Sequence, residues 1–306
     1  MLQLISRRLF FILLVCVLIV FFVNLGMRMI RNSEVDEPSY DLIVNGKIAL
    51  NDTKGYIQRI ARGDLGYART SGGQVPVLDV LKQSYVNSMG LLLTALGLAI
   101  LIGFPLGAAA ALSKKQKVTF PVLAFTIIGI SVPAFFAALL LRTGELYYVR
   151  YTGKQLVKIA GFGWDYKHML LPVLVLAARP VAYLTRSSFL SLRSTMDEDY
   201  IRTARAKGLR NQTIVNIHAV PNIAVPVLTA VGVSLRFALV ALPVVEFFFV
   251  WPGIGLLMLE AINARQTVLV VTIALALGLT FLVLNLLLDV AYWFVDPRIR
   301  EAHESG

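Results

Sequence analysis

Asp199-Tyr200-Ile201-Arg202-Thr203-Ala204-Arg205-Ala206-Lys207-Gly208 is a short, charged stretch in an otherwise mostly apolar chain, and its reading carries on through His218 to Pro221. The charges are ordered: Asp197, Glu198 and Asp199 come first, Arg202, Arg205 and Lys207 follow, and Gly208 closes the run. Acids at a helix N-terminus and cations at its C-terminus complement the macrodipole, and glycine is free to take the left-handed conformation that ends a helix. A second short helix is expected to begin at Asn211, a good capping residue, and to stop before Pro221, because a proline drives the residue before it out of helical geometry. The stretch therefore predicts a helix-turn-helix that offers a surface to a soluble partner. On helical spacing Tyr200, Ala204 and Gly208 share one stripe, with Ile201 beside it. The small Ala204 is expected to let the partner approach closely, and Arg202 and Arg205 flank it, placed for acids of that partner.

Working outward, this segment is bracketed by apolar runs at 169–186 and from Pro221 to about 242, and further runs lie at 9–29, 88–112, 119–141 and 267–295. Each is near the ~20 residues that span a bilayer. The chain is 57% hydrophobic and 15% charged, far from soluble composition. The fold class expected is an all-α membrane protein with six transmembrane helices. A net charge of +11 raises the question of nucleic acid, but no zinc-ligand spacing and no aromatic RNA-binding signature accompanies it, so the basic residues are read as span flanks and no nucleic-acid partner is expected. Cys16 is the only cysteine; it permits no intrachain disulfide and reads as a small hydrophobe inside the first run.

Three regions follow: 1–30 as an N-terminal anchor helix, 31–86 as a small extracytoplasmic domain, and 87–306 as a five-helix core whose polar loop is 194–221. Arg7 and Arg8 precede the first apolar run, which lacks an Ala-x-Ala cleavage site and so reads as an uncleaved anchor, a twin-arginine export signal being the alternative. The segments at the N-terminus, at Lys114, Lys115 and Lys117, and at 186–210 are dense in Lys and Arg, whereas 28–84 has eight bases against seven acids. The positive-inside rule then places both termini and the 194–221 loop in the cytoplasm.

The polar stretch resembles the coupling loop of permeases in binding-protein-dependent ABC importers, whose pattern is Glu-Ala-Ala, three residues, Gly, nine residues, Ile-x-Leu-Pro. Gly208 and Pro221 fall on its glycine and proline, Ala204 on its second alanine and Val220 on its leucine; Arg202 and Thr203 replace Glu-Ala, and His218 replaces the isoleucine. Those departures are similar to the dipeptide and oligopeptide branch. Gly63-Asp64-Leu65-Gly66-Tyr67, Ser131-Val132-Pro133, the Trp251-Pro252-Gly253-Ile254-Gly255 turn with Glu246 upstream, and Asn285, Asp289 and Asp296-Pro297-Arg298-Ile299-Arg300 extend the resemblance over most of the chain from Gly63 onward. Residues 29–62 and the segment after Leu141 diverge from the pattern. The resemblance implies a type I importer permease core in a bacterial or archaeal plasma membrane. It also implies a second permease subunit, two cytoplasmic ABC ATPase subunits and an extracytoplasmic binding protein as partners, and Tyr200, Ile201, Arg202, Thr203, Ala204, Arg205, Lys207, Gly208, His218 and Pro221 as ATPase-coupling residues. Its implied substrates are di- or oligopeptides, with a nickel or other metal-chelate importer as the alternative.

Chemistry absent from the chain is equally informative. No Gly-x-x-x-x-Gly-Lys-Ser/Thr occurs, so ATP and Mg are expected on partner subunits and no cofactor on this one. There is no His-Glu-x-x-His and no Gly-x-Ser-x-Gly, and His168, His218 and His303 fall in different loops; no metal or catalytic site is expected and the chain is not read as an enzyme. The ionisable residues in apolar runs are Arg179, Arg236 and Asp289, with Glu246 near a span end. Such groups are costly in lipid, so Arg179, Arg236 and Glu246 are candidates for the translocation path, snorkelling and structural ion pairs being the alternatives. Trp251, Pro252, Gly253 and Gly255 predict a re-entrant or outer turn, tolerated at membrane depth only beside protein or water. The competing classes are an ion-coupled secondary transporter, for which no inverted repeat is visible, and an intramembrane enzyme.

Overall fold

The computed structural model describes residues 2–32, 42–70 and 72–295. In chain order the elements are α1 (Leu2–Asn32), α2 (Leu42–Ala61), β1 (Tyr67–Thr70), β2 (Gly73–Pro76), α3 (Val77–Leu112), α4 (Gln116–Ser131), α5 (Ala134–Thr152), α6 (Tyr166–Met196), α7 (Asp199–Ala206), α8 (Asn211–Thr213), α9 (Ala224–Phe249), α10 (Ile254–Asn263) and α11 (Thr267–Val295). Helices dominate, as expected; the one sheet described is the hairpin of β1 and β2, antiparallel with Tyr67 opposite Pro76 and Thr70 opposite Gly73. Among the described residues five helical segments are long and apolar enough to cross a membrane: 10–30, α3, α6, the run Asn211–Phe249, and α11.

The remaining expected span, 119–141, is not one straight helix. α4 and α5 meet at a 106° bend. Val132 is extended (φ −73°, ψ 121°) and Pro133 caps α5 without donating an N–H, which is the geometry a proline imposes on itself and on its predecessor. α5 then continues to Thr152, so Tyr147, Tyr148 and Arg150, which lie beyond the apolar run expected to end at 141, are helical. It stops at Gly153, which is left-handed (φ 68°). Some other limits also shift outward, α3 beginning at Val77 and α6 running from Tyr166 to Met196.

The chain divides into two compact units. The first holds 1–87 and 252–286. Its apolar centre joins Met27, Ala68, Val77, Ile254, Ala261, Leu269, Val270 and Ile273, and Tyr56 on α2 shares a 2.8 Å hydrogen bond with Thr272 on α11. The second unit holds 88–251 and 287–306. Here α6 is the central helix. Gly103 and Gly107 of α3 lie against Val181, Leu184, Thr185 and Ser188 so closely that a Cβ on Gly107 would stand 2.4 Å from the Thr185 carbonyl. Small residues four apart let two backbones approach in this way inside a membrane. Gly107→Leu is therefore expected to prevent accumulation of folded protein, whereas Gly97→Leu, where a Cβ meets nothing within 4 Å, is expected to be tolerated; monodisperse yield after solubilisation checks the pair.

Candidate functional site

The polar stretch folds as one short helix, α7, followed by a turn and by a second helical run that continues into α9. α7 starts after Glu198, which makes no side-chain cap, and its exposed first turn is tied instead by an Arg202–Asp199 contact of 3.3 Å. It ends through Gly208, which is left-handed (φ 78°), with Gly208 N–H donating to the Arg205 carbonyl at 2.9 Å and Leu209 N–H to the Ala204 carbonyl at 3.3 Å. The second helix begins at Asn211, although the capping position belongs to Arg210 and no side chain caps it. α8 passes into a π-helical run over Ile214–Ala219 that contains His218, and Pro221 opens a single 3₁₀ turn. Val220 keeps helical geometry (φ −60°, ψ −44°), so the expected stop before Pro221 is not made. The helical run continues to Phe249 because a proline is tolerated in the first turn of a helix that resumes after it. Asn222 Nδ2 donates to the His218 carbonyl at 2.6 Å.

Packing corrects the expected orientation of α7. Ala204 is 6% exposed and Ile201 fully buried, both within a cluster that includes Ala111, Leu192, Met196, Ile214, Ala219 and Ile223. These two residues, three apart on one face, seat α7 on the chain's own helices, so Ala204 is not a close-approach point for another protein. The physical reason is that α7 has one apolar face and buries it in the nearest apolar surface, which belongs to its own chain. The outward face carries Tyr200, Arg202, Thr203, Arg205, Ala206 and Lys207. Burial, then the Glu198 carboxylate, raises the pKa of the Tyr200 hydroxyl, against a smaller opposing effect of its hydrogen bond with Asn222. Beside this face lies a cleft of about 560 Å³, whose lining includes Lys114, Arg193, Asp197 and Arg205. The sequence reading missed it because its residues come from three separated segments.

The path candidates separate. Arg179 on α6 is exposed, and its guanidinium sits 4.3 Å from the Phe237 ring centroid on α9. Phe237 in turn meets Tyr183 edge-on at 5.5 Å. Arg236 is also exposed on α9. Glu246 is not: it is fully buried and accepts a 2.5 Å hydrogen bond from Ser88 Oγ, which accommodates a polar group in an apolar helix pair and removes it from the exposed face.

At the end of α9 the helix breaks at Val250 (φ 52°), Trp251 N–H donating to the Glu246 carbonyl at 2.9 Å. The predicted turn is present as this break; Gly253 then caps α10, and Gly255 lies in its first turn. The Pro252 carbonyl accepts from Asn87 Nδ2 at 2.8 Å. Trp251 is fully buried and meets Phe162 and Trp164 edge-on at 4.9 and 5.6 Å. Phe162 and Trp164 belong to the 153–165 loop, which is further held by Gly161 N–H on the Phe249 carbonyl (2.9 Å) and by Leu156 and Val157 N–H on Glu145 Oε1 (2.8 and 3.1 Å). At its end Asp165 caps α6, and its 2.6 Å contact with His168 holds the carboxyl below the usual carboxylate range. The C-terminal pattern at 296–300 lies outside the described residues.

Residues 103–301 match the family described as binding-protein-dependent transport system inner membrane component. The chain belongs to that family of transport permeases. It is 29% identical over 270 residues to the dipeptide transport system permease protein of Escherichia coli strain K12, covering 80% of this chain and 79% of that one. It is also 30% identical over 299 residues to the glutathione transport system permease protein of Salmonella choleraesuis strain SC-B67, covering 94% of each.

Proposed function

We propose that this permease forms half of the translocation path of an importer for di- or oligopeptides and receives work from separate ATPase chains through the outward face of α7 and the turn after it. The observation that carries the reading is the near full-length similarity to a glutathione permease, joined by similarity to a dipeptide permease. In support of the coupling role, α7 is short, seated on the permease by Ile201 and Ala204, and capped by left-handed Gly208, so a push on its outward face is delivered to α6 and α9 rather than absorbed by a loose loop. The partners are a second permease, two cytoplasmic ATPase subunits that hold ATP and Mg, and an extracytoplasmic binding protein; both termini and α7 face the cytoplasm.

Membrane vesicles holding the complete complex test the substrate. ATP-dependent accumulation of a labelled dipeptide or of glutathione is expected, and accumulation of a nickel chelate in place of both overturns the peptide assignment. Orientation is tested separately. Because Cys16 is the only thiol, a Cys16→Ser background accepts single reporters, and an impermeant maleimide added to intact cells is expected to label Asn51→Cys and spare Lys115→Cys. The reverse pattern inverts the topology.

A further inference from the structure

Helix α6 carries Arg179, Arg186 and Arg193 at seven-residue intervals, and no acid occurs between Asp165 and Asp197. Seven residues fall about 20° short of two full turns, so the three positions stay on one side of the helix and step along it by ~10.5 Å each. All three are exposed. The opposite side of α6 is taken by Gly103 and Gly107 of α3, packed on Val181, Leu184, Thr185 and Ser188. Among the described residues none forms an ion pair with any of the three arginines. Arg179 is held upright by the face of Phe237. Arg193 reaches the cleft it shares with Lys114, Arg205 and a single acid, Asp197, with which it makes no ion pair, its Nη1 3.5 Å from the Ala111 carbonyl. Leu190, 55% exposed, lies on the same side between Arg186 and Arg193.

A row of uncompensated guanidinium groups along a span cannot face hydrocarbon without heavy cost, so this side of α6 must meet water or another protein. Guanidinium groups take carboxylates through paired N–H donors, and a succession of weak sites passes an ion along where one strong site would trap it. We propose that Arg179, Arg186 and Arg193 form a line of anion sites that hands the carboxylate of the transported solute from within the span to the cleft at Lys114 and Arg205. This rests on the importer reading above and narrows it: the solute crosses as a carboxylate-bearing species, and Arg186 and Arg193 join Arg179 in the path.

The test uses Leu190→Cys in the Cys16→Ser background, assembled with its partner subunits and solubilised. Its rates of reaction with an anionic sulfonatoethyl and a cationic trimethylammonioethyl methanethiosulfonate are measured, each relative to a free thiol. The anionic reagent is expected to be favoured at least about tenfold. Arg186→Gln with Arg193→Gln is expected to remove most of that preference while the complex still assembles. In peptide uptake by the otherwise unlabelled complex, Arg186→Gln alone is expected to lower the maximal rate about tenfold. Failure of both reagents to react shows that lipid or a partner chain covers this side and overturns the proposal, as does an equal rate for the two. A preference that survives the double substitution assigns the field to other cations and also overturns it. A complex that keeps the arginine-dependent preference but takes up no peptide removes the peptide reading and leaves the anion line standing, which separates the two failures.

Discussion

Ala204→Asp is expected to melt α7 while leaving the spans folded. The side chain would enter a cluster of Ile201, Leu192, Met196 and Ile214 with no partner for its charge, at a cost of roughly 2–7 kcal/mol even for a neutral polar group left unpaired. An eight-residue helix has almost no stability of its own, so α7 depends on this contact and the loss is local. Backbone hydrogen exchange over 199–208 is expected to speed by at least about 30-fold, since local opening becomes easier by ~2 kcal/mol or more, and uptake by the complex is expected to fall below detection. Substitution on the outward face acts differently: Arg205→Glu is expected to depress uptake with exchange over α7 unchanged. If Ala204→Asp left α7 as protected as in the parent protein, the seating of this helix by Ile201 and Ala204 would be wrong.

Trp251→Ala is expected to release the 153–165 loop. Trp251 is fully buried against Phe162 and Trp164, and removing such a side chain costs roughly 3–5 kcal/mol when the surroundings cannot collapse. The backbone contacts of Gly161 and of Leu156 and Val157 are expected not to hold the loop once that packing is lost, and none of them is an intrahelical bond, so the loop detaches without unfolding α5 or α6. In the Cys16→Ser background the buried Val157→Cys is expected to react with maleimide about 100-fold faster once Trp251 is alanine, and Trp251→Phe, which keeps an aromatic ring, is expected to restore most of the protection. Unchanged reactivity would show that Glu145 and the Phe249 carbonyl suffice to hold the loop.

Much of this architecture is legible in the residues themselves. Apolar runs of bilayer length announce the helices, and two limits, the end of α3 at Leu112 and the start of α11 at Thr267, fall where composition puts them. Pro133 and Gly153 are local signals too: each marks its break by its own backbone geometry. The orientation of α7 was also partly readable, because Ile201 and Ala204 make an apolar pair three residues apart in a polar helix.

By itself the sequence determined the helical class, the short helix closed by Gly208, the break at Trp251 and the absence of a nucleotide-binding loop, because each depends on local periodicity, backbone preference or a contiguous motif. Only the tertiary structure decided that Glu246 hides behind Ser88, that Ala204 faces inward and that Trp251 holds a loop nearly a hundred residues earlier. These are contacts between residues far apart in the chain, and which face of a helix is covered depends on which other helix arrives there. No local pattern encodes that.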